Sequence, residues 1–441
     1  MKRILFYVVV DTFVPFLWQL SRYVEARGFE AHFAAFLPRE HLWLTKLGVR
    51  LVPGNAYEAR DIPPASAWFS DSELDDMLAF SIDKHGGSRA VWEARVALAA
   101  KTFVELFDSA PFEAAFIWNG QDAIGRALAM LAKRRGITVV YGENGYFSRT
   151  LQFDLEGVNA QSSLNRLSLQ DMRDALAAPA ADAPPHAGFA LGDVVPLAWR
   201  DYATCFIKRK ADAHYYEKFP EHRGGSSFKN WWLQRQRQLI PADQVELPAN
   251  FVFIPFQVHD DTQILLNSPN FRSMETFFEF SHAAIRRHFG EHQKIVVKEH
   301  PEDLGRHNYD GLKTKYPEVI WLRKFDIDAL IDRAACVFVV NSSVGLQAVR
   351  KLRPTVVFGD SFYTRPELVF DATDLNHADA SIEAAKKGVD VSRQANIKTF
   401  IDFLTKRYFI ASGWKDFSAE GIALTGERVV RLLNMRDGMA D

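Results

Sequence analysis

Three short polar clusters, each directly after an apolar run, hold the residues of this chain best suited to chemistry on a phosphorylated substrate. Asn341-Ser342-Ser343-Val344-Gly345 follows Ala335 to Val340 and opens a stretch of helical spacing. At such a junction the unbonded N–H groups of the first turn, the helix dipole and two hydroxyls converge on one point and make an anion site. Lys298-Glu299-His300-Pro301 follows Lys294 to Val297 and brings an ammonium group and an imidazole. Gln257-Val258-His259-Asp260-Asp261-Thr262-Gln263 follows Phe251 to Phe256 and sets the carboxylate of Asp261 between two amides, Gln257 and Gln263. Nearer the N-terminus, Asn119 follows the run Ala114 to Trp118, and Glu143-Asn144 follows Ile137 to Tyr141. Glu143 is therefore a second carboxylate at a strand end. Beyond it, the polar stretch from Gln152 to Ser163, with Asp154, Asn159 and Ser162, has no clear period and reads as a binding loop.

A sugar-nucleotide donor asks for these residue types: contacts to its phosphate and leaving group, and a carboxylate at the anomeric carbon. Lys298, His300 and the Ser342/Ser343 turn supply the first two in type, and Asp261 and Glu143 the third. Each cluster alone reads equally well as a capped helix or a surface turn. Three at successive strand ends point to a ligand. Other chemistries lack their residues. No Gly-x-Ser-x-Gly elbow occurs, and no Gly-x-Gly-x-x-Gly fingerprint for a dinucleotide. The only Asp-x-Asp, Asp326-Ile327-Asp328, precedes a helical run and reads as its cap, so no metal ligand is assigned.

These clusters need a frame of parallel strands, and the chain alternates strand and helix patterns throughout. Its first strand is Lys2 to Val10, interrupted by Asp11 and lacking the small-residue cleavage site of a signal peptide. Strands are predicted over 29–36, 49–53, 114–118 and 137–141, with residues 72–108 helical; the second half repeats the alternation from Phe251. At 441 residues the chain suits two α/β domains rather than one core. The expected division is 1–245, with 412–441 packing back on it, and 246–411. A composition of 48% hydrophobic and 24% charged residues with net charge −2 is that of a globular protein and argues against a nucleic-acid partner. Two distant cysteines, Cys205 and Cys336, fit a reducing cytoplasm, and no apolar run reaches the ~18 residues of a membrane span. Residues 176–195 are Ala/Pro-rich and read as an exposed insertion. Residues 208–237, basic and aromatic, read either as a solvated face or as a peripheral contact with anionic lipid at the inner face of the inner membrane.

Taken together, Gln257-x3-Asp261-x-Gln263, Lys298-x-His300-Pro301 and Asn341-Ser-Ser-Val-Gly345-Leu-Gln-Ala resemble the bacterial capsule-polysaccharide biosynthesis family of retaining β-Kdo glycosyltransferases. Glu143-Asn144-Gly145 and Asp154-x2-Gly157-Val158-Asn159-x2-Ser162-Ser163 resemble the N-terminal motifs of the same family, so the likeness runs from about 115 to 365. It implies a GT-B fold of two Rossmann-like domains across a cleft, CMP-Kdo as donor, no metal or other cofactor, and retention of configuration. The C-terminal domain would bind the donor through Gln257, Gln263, Lys298, His300, Pro301, Asn341, Ser342, Ser343 and Gly345. The N-terminal domain would bind a saccharide or lipid-linked acceptor through Asn119, Asn144, Asp154, Asn159 and Ser162. The resemblance makes Asp261 the nucleophile of a double displacement and Glu143 the general base, although spacing alone would allow the reverse. The lysine-containing Lys298-Glu299-His300 departs from the family, where a proline often precedes the histidine. The alternatives are a transferase for another CMP-ulosonic acid, a non-catalytic saccharide-binding assembly protein, and a UDP-sugar epimerase.

Overall fold

A computed structural model describes residues 1–52, 61–179, 189–224, 235, 237–259 and 262–437. The chain folds into two compact units, Met1–Val158 with Pro179–Gly224 and Tyr408–Asp441, and Asn159–Ala178 with Gly225–Arg407. The chain thus changes unit at 158/159, and the stretch to Ala178 belongs with the second unit, where the sequence had placed it in the first.

The first unit opens with β1 (Lys2–Val8), α1 (Val14–Glu25), β2 (Phe29–Ala35) and α2 (Pro38–Lys46). The helical run then divides into α3 (Asp71–His85) and α4 (Arg89–Ser109). Gly86 and Gly87, at φ +68° and +96°, make the break that a continuous helix could not. β3 (Ala114–Trp118), α5 (Ala123–Arg134), β4 (Thr138–Asn144) and β5 (Leu151–Asp154) complete the sheet, in order β2-β1-β3-β4-β5. All neighbours are parallel except β4 and β5. Two expectations differ here. Of the strand expected over 49–53, the described residues 49–52 contribute only an isolated bridge, Phe33 to Leu51. The supposed polar loop begins instead with β5, whose Gln152 and Asp154 are buried and hydrogen bonded.

Successive residues of β1 face two different cores, Ile4, Phe6 and Val8 one way and Leu5 and Tyr7 the other. That is why the strand is apolar without alternation. After α6 (Leu169–Ala177), which belongs to the second unit, the first unit regains α7 (Trp199–Ala211) and the single turn α8 (Tyr215–Lys218).

The second unit carries β6 (Phe251–Pro255), α9 (Thr262–Asn267), α10 (Met274–Phe289), β7 (Lys294–Lys298), α11 (Asp310–Lys315) and β8 (Ile320–Leu322). It continues through α12 (Ile327–Arg333), β9 (Cys336–Val339), α13 (Ser343–Arg350), β10 (Thr355–Val357), β11 (Phe370–Asp371), α14 (Ala378–Lys386) and α15 (Val391–Phe403). Its sheet is wholly parallel, in order β11-β10-β9-β6-β7-β8. Asp326 caps α12 by accepting from the Ala329 N–H at 2.7 Å. The last helix, α16 (Ala419–Asp437), lies on α1 in the first unit, so close that a Cβ on Gly426 would meet the Tyr23 ring at 2.2 Å. Among the described residues no helix is long and apolar enough to cross a membrane.

Candidate active site

The strand order of the second unit reverses between β6 and β9: β7 and β8 lie on one side, β10 and β11 on the other. Outside the carboxyl ends of such a pair the two following loops part and leave a ligand crevice. Gln257 follows β6 and Asn341 follows β9, and the two are locked together. Gln257 Nε2 donates to Asn341 Oδ1 at 3.0 Å, and the Asn341 backbone N–H donates to Gln257 Oε1 at 3.2 Å. Asn341 Nδ2 donates in turn to the carbonyls of Gln263 and Asn267, at 2.9 and 3.1 Å. Both side chains are buried. They are struts of the crevice: their amides are spent on one another and on the backbone, which leaves the serines to present polar groups outward. Ser342 caps α13 by accepting from the Val344 N–H at 3.1 Å, and Ser343 is exposed on the first turn. Gly345 is a packing residue, since a Cβ there would meet Tyr363 Oη at 2.5 Å and Val339 Cγ2 at 2.8 Å.

Lys298 and His300 emerge from β7, the next strand along. Burial lowers the Lys298 pKa, partly opposed by the carboxylate of Asp243. Among the described residues no carboxylate pairs with Lys298 at contact distance, so a half-buried cation stands beside the crevice. That arrangement costs solvation, and an anionic ligand would offset the cost. His300 Nδ1 accepts from the Glu302 N–H at 3.1 Å, which fixes the neutral ring as the Nε2–H tautomer, a donor. Pro301 is exposed in the turn that follows.

Two features here were not singled out in the sequence. His259 gives its Nδ1–H to the fully buried carboxylate of Asp303 at 2.7 Å, and Tyr309 donates to the same carboxylate at 3.0 Å. This network fixes His259, the last described residue before Thr262. Histidine and aspartate forty-four residues apart carry no local signal of their pairing. The second feature is a polar cavity of about 480 Å³ beyond the ends of β10 and β11, lined by Gln161, Asn165, Asn267, Asp360, Ser361 and Arg365, among others. Asn267 joins it to the crevice, because Gln161 Nε2 donates to Asn267 Oδ1 at 2.9 Å while the Asn267 carbonyl accepts from Asn341.

The first unit has its own strand-order reversal, between β1 and β3. Asn119 follows β3 at φ +60°, a left-handed conformation that asparagine tolerates better than most residues. It donates its side-chain amide to Glu143 Oε2 at the end of β4. The other oxygen, Glu143 Oε1, accepts from the Asn144 N–H at 2.7 Å and the Asn144 side chain at 3.1 Å. Desolvation raises the Glu143 pKa, and the bonds from Asn119 and Asn144 oppose the rise. A carboxyl so held suits a general base. Beside it, Asp122 caps α5 and accepts from Tyr7 Oη at 3.0 Å.

Several expected residues are placed otherwise. Asp154 is buried in β5 and accepts from Tyr408 Oη at 2.9 Å, tying the returning C-terminal segment to the sheet rather than facing an acceptor. Asn159 and Ser162 are buried residues of the second unit, and Ser162 Oγ donates to the Asn159 carbonyl at 2.8 Å. Asp261 lies outside the described residues. In the basic, aromatic segment 208–237 several of the described side chains are used within their own unit. Tyr215 and Phe219 are buried against Leu37, Arg209 binds Tyr216, and Arg237 in the second unit pairs with Glu302 at 2.7 Å. Residues 225–234 and 236 lie outside the described residues. Among the described residues no group of three or more His, Cys, Asp or Glu side chains has the geometry to hold a metal.

Residues 113–402, more than half of the chain, match the family described as capsule polysaccharide biosynthesis protein. Protein FixF of Sinorhizobium fredii is 27% identical over 266 residues, covering 60% of this chain and 53% of FixF. The capsule polysaccharide export protein KpsS of Escherichia coli is 24% identical over 260 residues, covering 53% of this chain and 63% of KpsS. The matches thus span less than two thirds of either curated relative. Among solved structures, the KpsC β-Kdo 2,7 transferase of Thermosulfurimonas dismutans aligns at 14% identity with a TM-score of 0.36, covering 75% of this chain and 89% of that one.

Proposed function

The chain belongs to the capsule polysaccharide biosynthesis family, and from that premise we propose that it is a glycosyltransferase moving Kdo from CMP-Kdo to a saccharide or lipid-linked acceptor with retention of configuration. The observation that carries the proposal is the Gln257–Asn341 lock at the strand-order reversal of the second unit. It ties the ends of β6 and β9 together where the serine turn begins, and Lys298 and His300 follow the neighbouring strand β7. Serine turn, lysine and histidine are donors to a single phosphate, which is what a CMP-activated sugar offers and what a leaving CMP requires. The sugar specificity rests on the motifs that resemble β-Kdo transferases.

In the proposed mechanism the Asp261 carboxylate attacks the anomeric carbon, forms a glycosyl ester and expels CMP, whose growing phosphate charge Lys298, His300 and the Ser342/Ser343 turn would balance. The acceptor hydroxyl then attacks the same carbon from the opposite face, returns Asp261 as a free carboxylate and gives its proton to Glu143. Two inversions make a net retention. No metal is assigned a role, and no cofactor beyond the donor. The protein would work in the cytoplasm, where nucleotide-activated sugars are made.

A donor screen tests the proposal. Purified protein is incubated with CMP-Kdo, a CMP-sialic acid or a UDP-sugar, together with saccharide acceptors, and products are read by mass. Transfer from CMP-Kdo is expected, and His300→Ala should raise the donor KM about tenfold by removing one charge-assisted bond. Turnover confined to CMP-sialic acid would move the assignment to another ulosonic acid. The similarity to KpsS, an export protein by name, favours a second reading, a non-catalytic role in export, in which every donor would remain intact.

A further inference from the structure

Helix α7 is built the wrong way round for a helix that packs by its apolar side. Its one carboxylate, Asp201, faces the body of the first unit, where it pairs with Lys46 of α2, and Thr204, Cys205 and Lys208 line a cavity on that same side. Trp199, Tyr202, Phe206 and Ile207 fall on the opposite side at helical spacing and stand in solvent, with Trp199 81%, Phe206 58% and Ile207 64% exposed. Leu191 and Val195, just upstream, extend the patch. Six of the thirteen large apolar residues that are exposed among the described residues therefore lie between 191 and 207. Scattered apolar residues need no explanation, but a concentrated patch on one helix does.

The charged residues on the outward side of α7 itself are basic, while Asp193 lies upstream between Leu191 and Val195. Arg200 and Lys210 lie on the outward side, Lys210 with its Nζ 5.8 Å from the centre of the Phe206 ring, and the Arg39 guanidinium stands 5.6 Å from that of Tyr202. We propose that this face of α7 docks the protein onto an anionic lipid surface, with Trp199, Phe206 and Ile207 entering the headgroup boundary and Arg200 and Lys210 meeting lipid phosphates. Aromatic and aliphatic residues flanked by lysine and arginine are the composition of an interfacial helix, and each basic residue near an anionic surface adds to its binding. A second copy of this chain is the poorer partner, because two-fold packing through the patch would set Arg200 and Lys210 of both copies against each other. Of the residues named here only Lys210 falls within segment 208–237, whose described aromatic residues are largely used inside the fold. It is also independent of which sugar the protein transfers.

Flotation of the full chain with vesicles is the test. One set is phosphatidylcholine alone, the other phosphatidylcholine with phosphatidylglycerol, each at low and high salt. Binding to the anionic set is expected, weakened by salt. The triple variant Trp199→Ser, Phe206→Ser, Ile207→Ser should lose at least about tenfold in affinity while keeping the wild-type circular dichroism and thermal midpoint. Arg200→Glu with Lys210→Glu should abolish the preference for anionic vesicles. No binding to either vesicle set overturns the proposal, as does unchanged binding by the triple variant. A concentration-dependent dimer that the triple variant dissolves, with no lipid binding, would assign the face to a second copy instead.

Discussion

Glu143 shows how far a single residue can be read before its surroundings are known. Its place after an apolar run marked it as a strand-end carboxylate, and its half-buried position, with three amide donors from Asn119 and Asn144, is what a tuned base needs. Gln257 and Asn341 were equally legible as motif residues, yet they turn out to be struts bonded to each other. In sequence a buried amide and a ligand-facing amide look alike, and only the partner eighty-four residues away separates them. Asp154 was misread for the same reason, its partner Tyr408 being 254 residues distant. Glu143 carries a pH prediction. Burial raises its pKa, and a base works deprotonated, so the acid limb of kcat/KM should lie above the ordinary carboxylate range. The Asn119 bond favours the charged form and therefore holds the pKa down. Asn119→Gly keeps the φ of +60° but removes that donor, so the limb should move to higher pH with the high-pH plateau little changed. A pH–rate profile for both proteins checks this. An unmoved limb would mean that Glu143 is not the group titrating.

At the scale of elements, the apolar runs of β1, β3, β6, β7 and β9 were readable because strands covered on both faces leave unbroken hydrophobic stretches. β5 was not, since its Gln152 and Asp154 are polar residues buried with partners that no local pattern reveals. The junction of β9 and α13 joins two kinds of residue in one motif, and mutation should separate them. Gly345→Ala places a Cβ against Tyr363 Oη and Val339, and should cost ~1–3 kcal/mol, read as a lower thermal midpoint. Ser343→Ala changes an exposed hydroxyl and should leave stability within about 0.5 kcal/mol, while raising the donor KM. Equal stability losses in both would return the motif to a purely structural role.

For the whole molecule, length and composition pointed to two α/β units, and two Rossmann-like units are what the chain forms. The path between them was harder to read. Asn159–Ala178 belongs to the second unit, where α6 packs on α15 and Arg173 reaches Asn396 at 3.2 Å. Nothing local to residues 159–178 announces a partner more than two hundred residues away. The proposed chemistry draws on residues of both units, Glu143 from the first and Lys298, His300 and the serine turn from the second. It needs both carboxylates to act in order, the nucleophile before the base. Intact-mass measurement of Glu143→Gln protein incubated with CMP-Kdo tests donor, covalent step and nucleophile at once. The variant should load Kdo and release it slowly, so the account predicts a single Kdo adduct that peptide mapping places on Asp261. An adduct on any other residue, or an unmodified protein that yields product of inverted configuration, would contradict it.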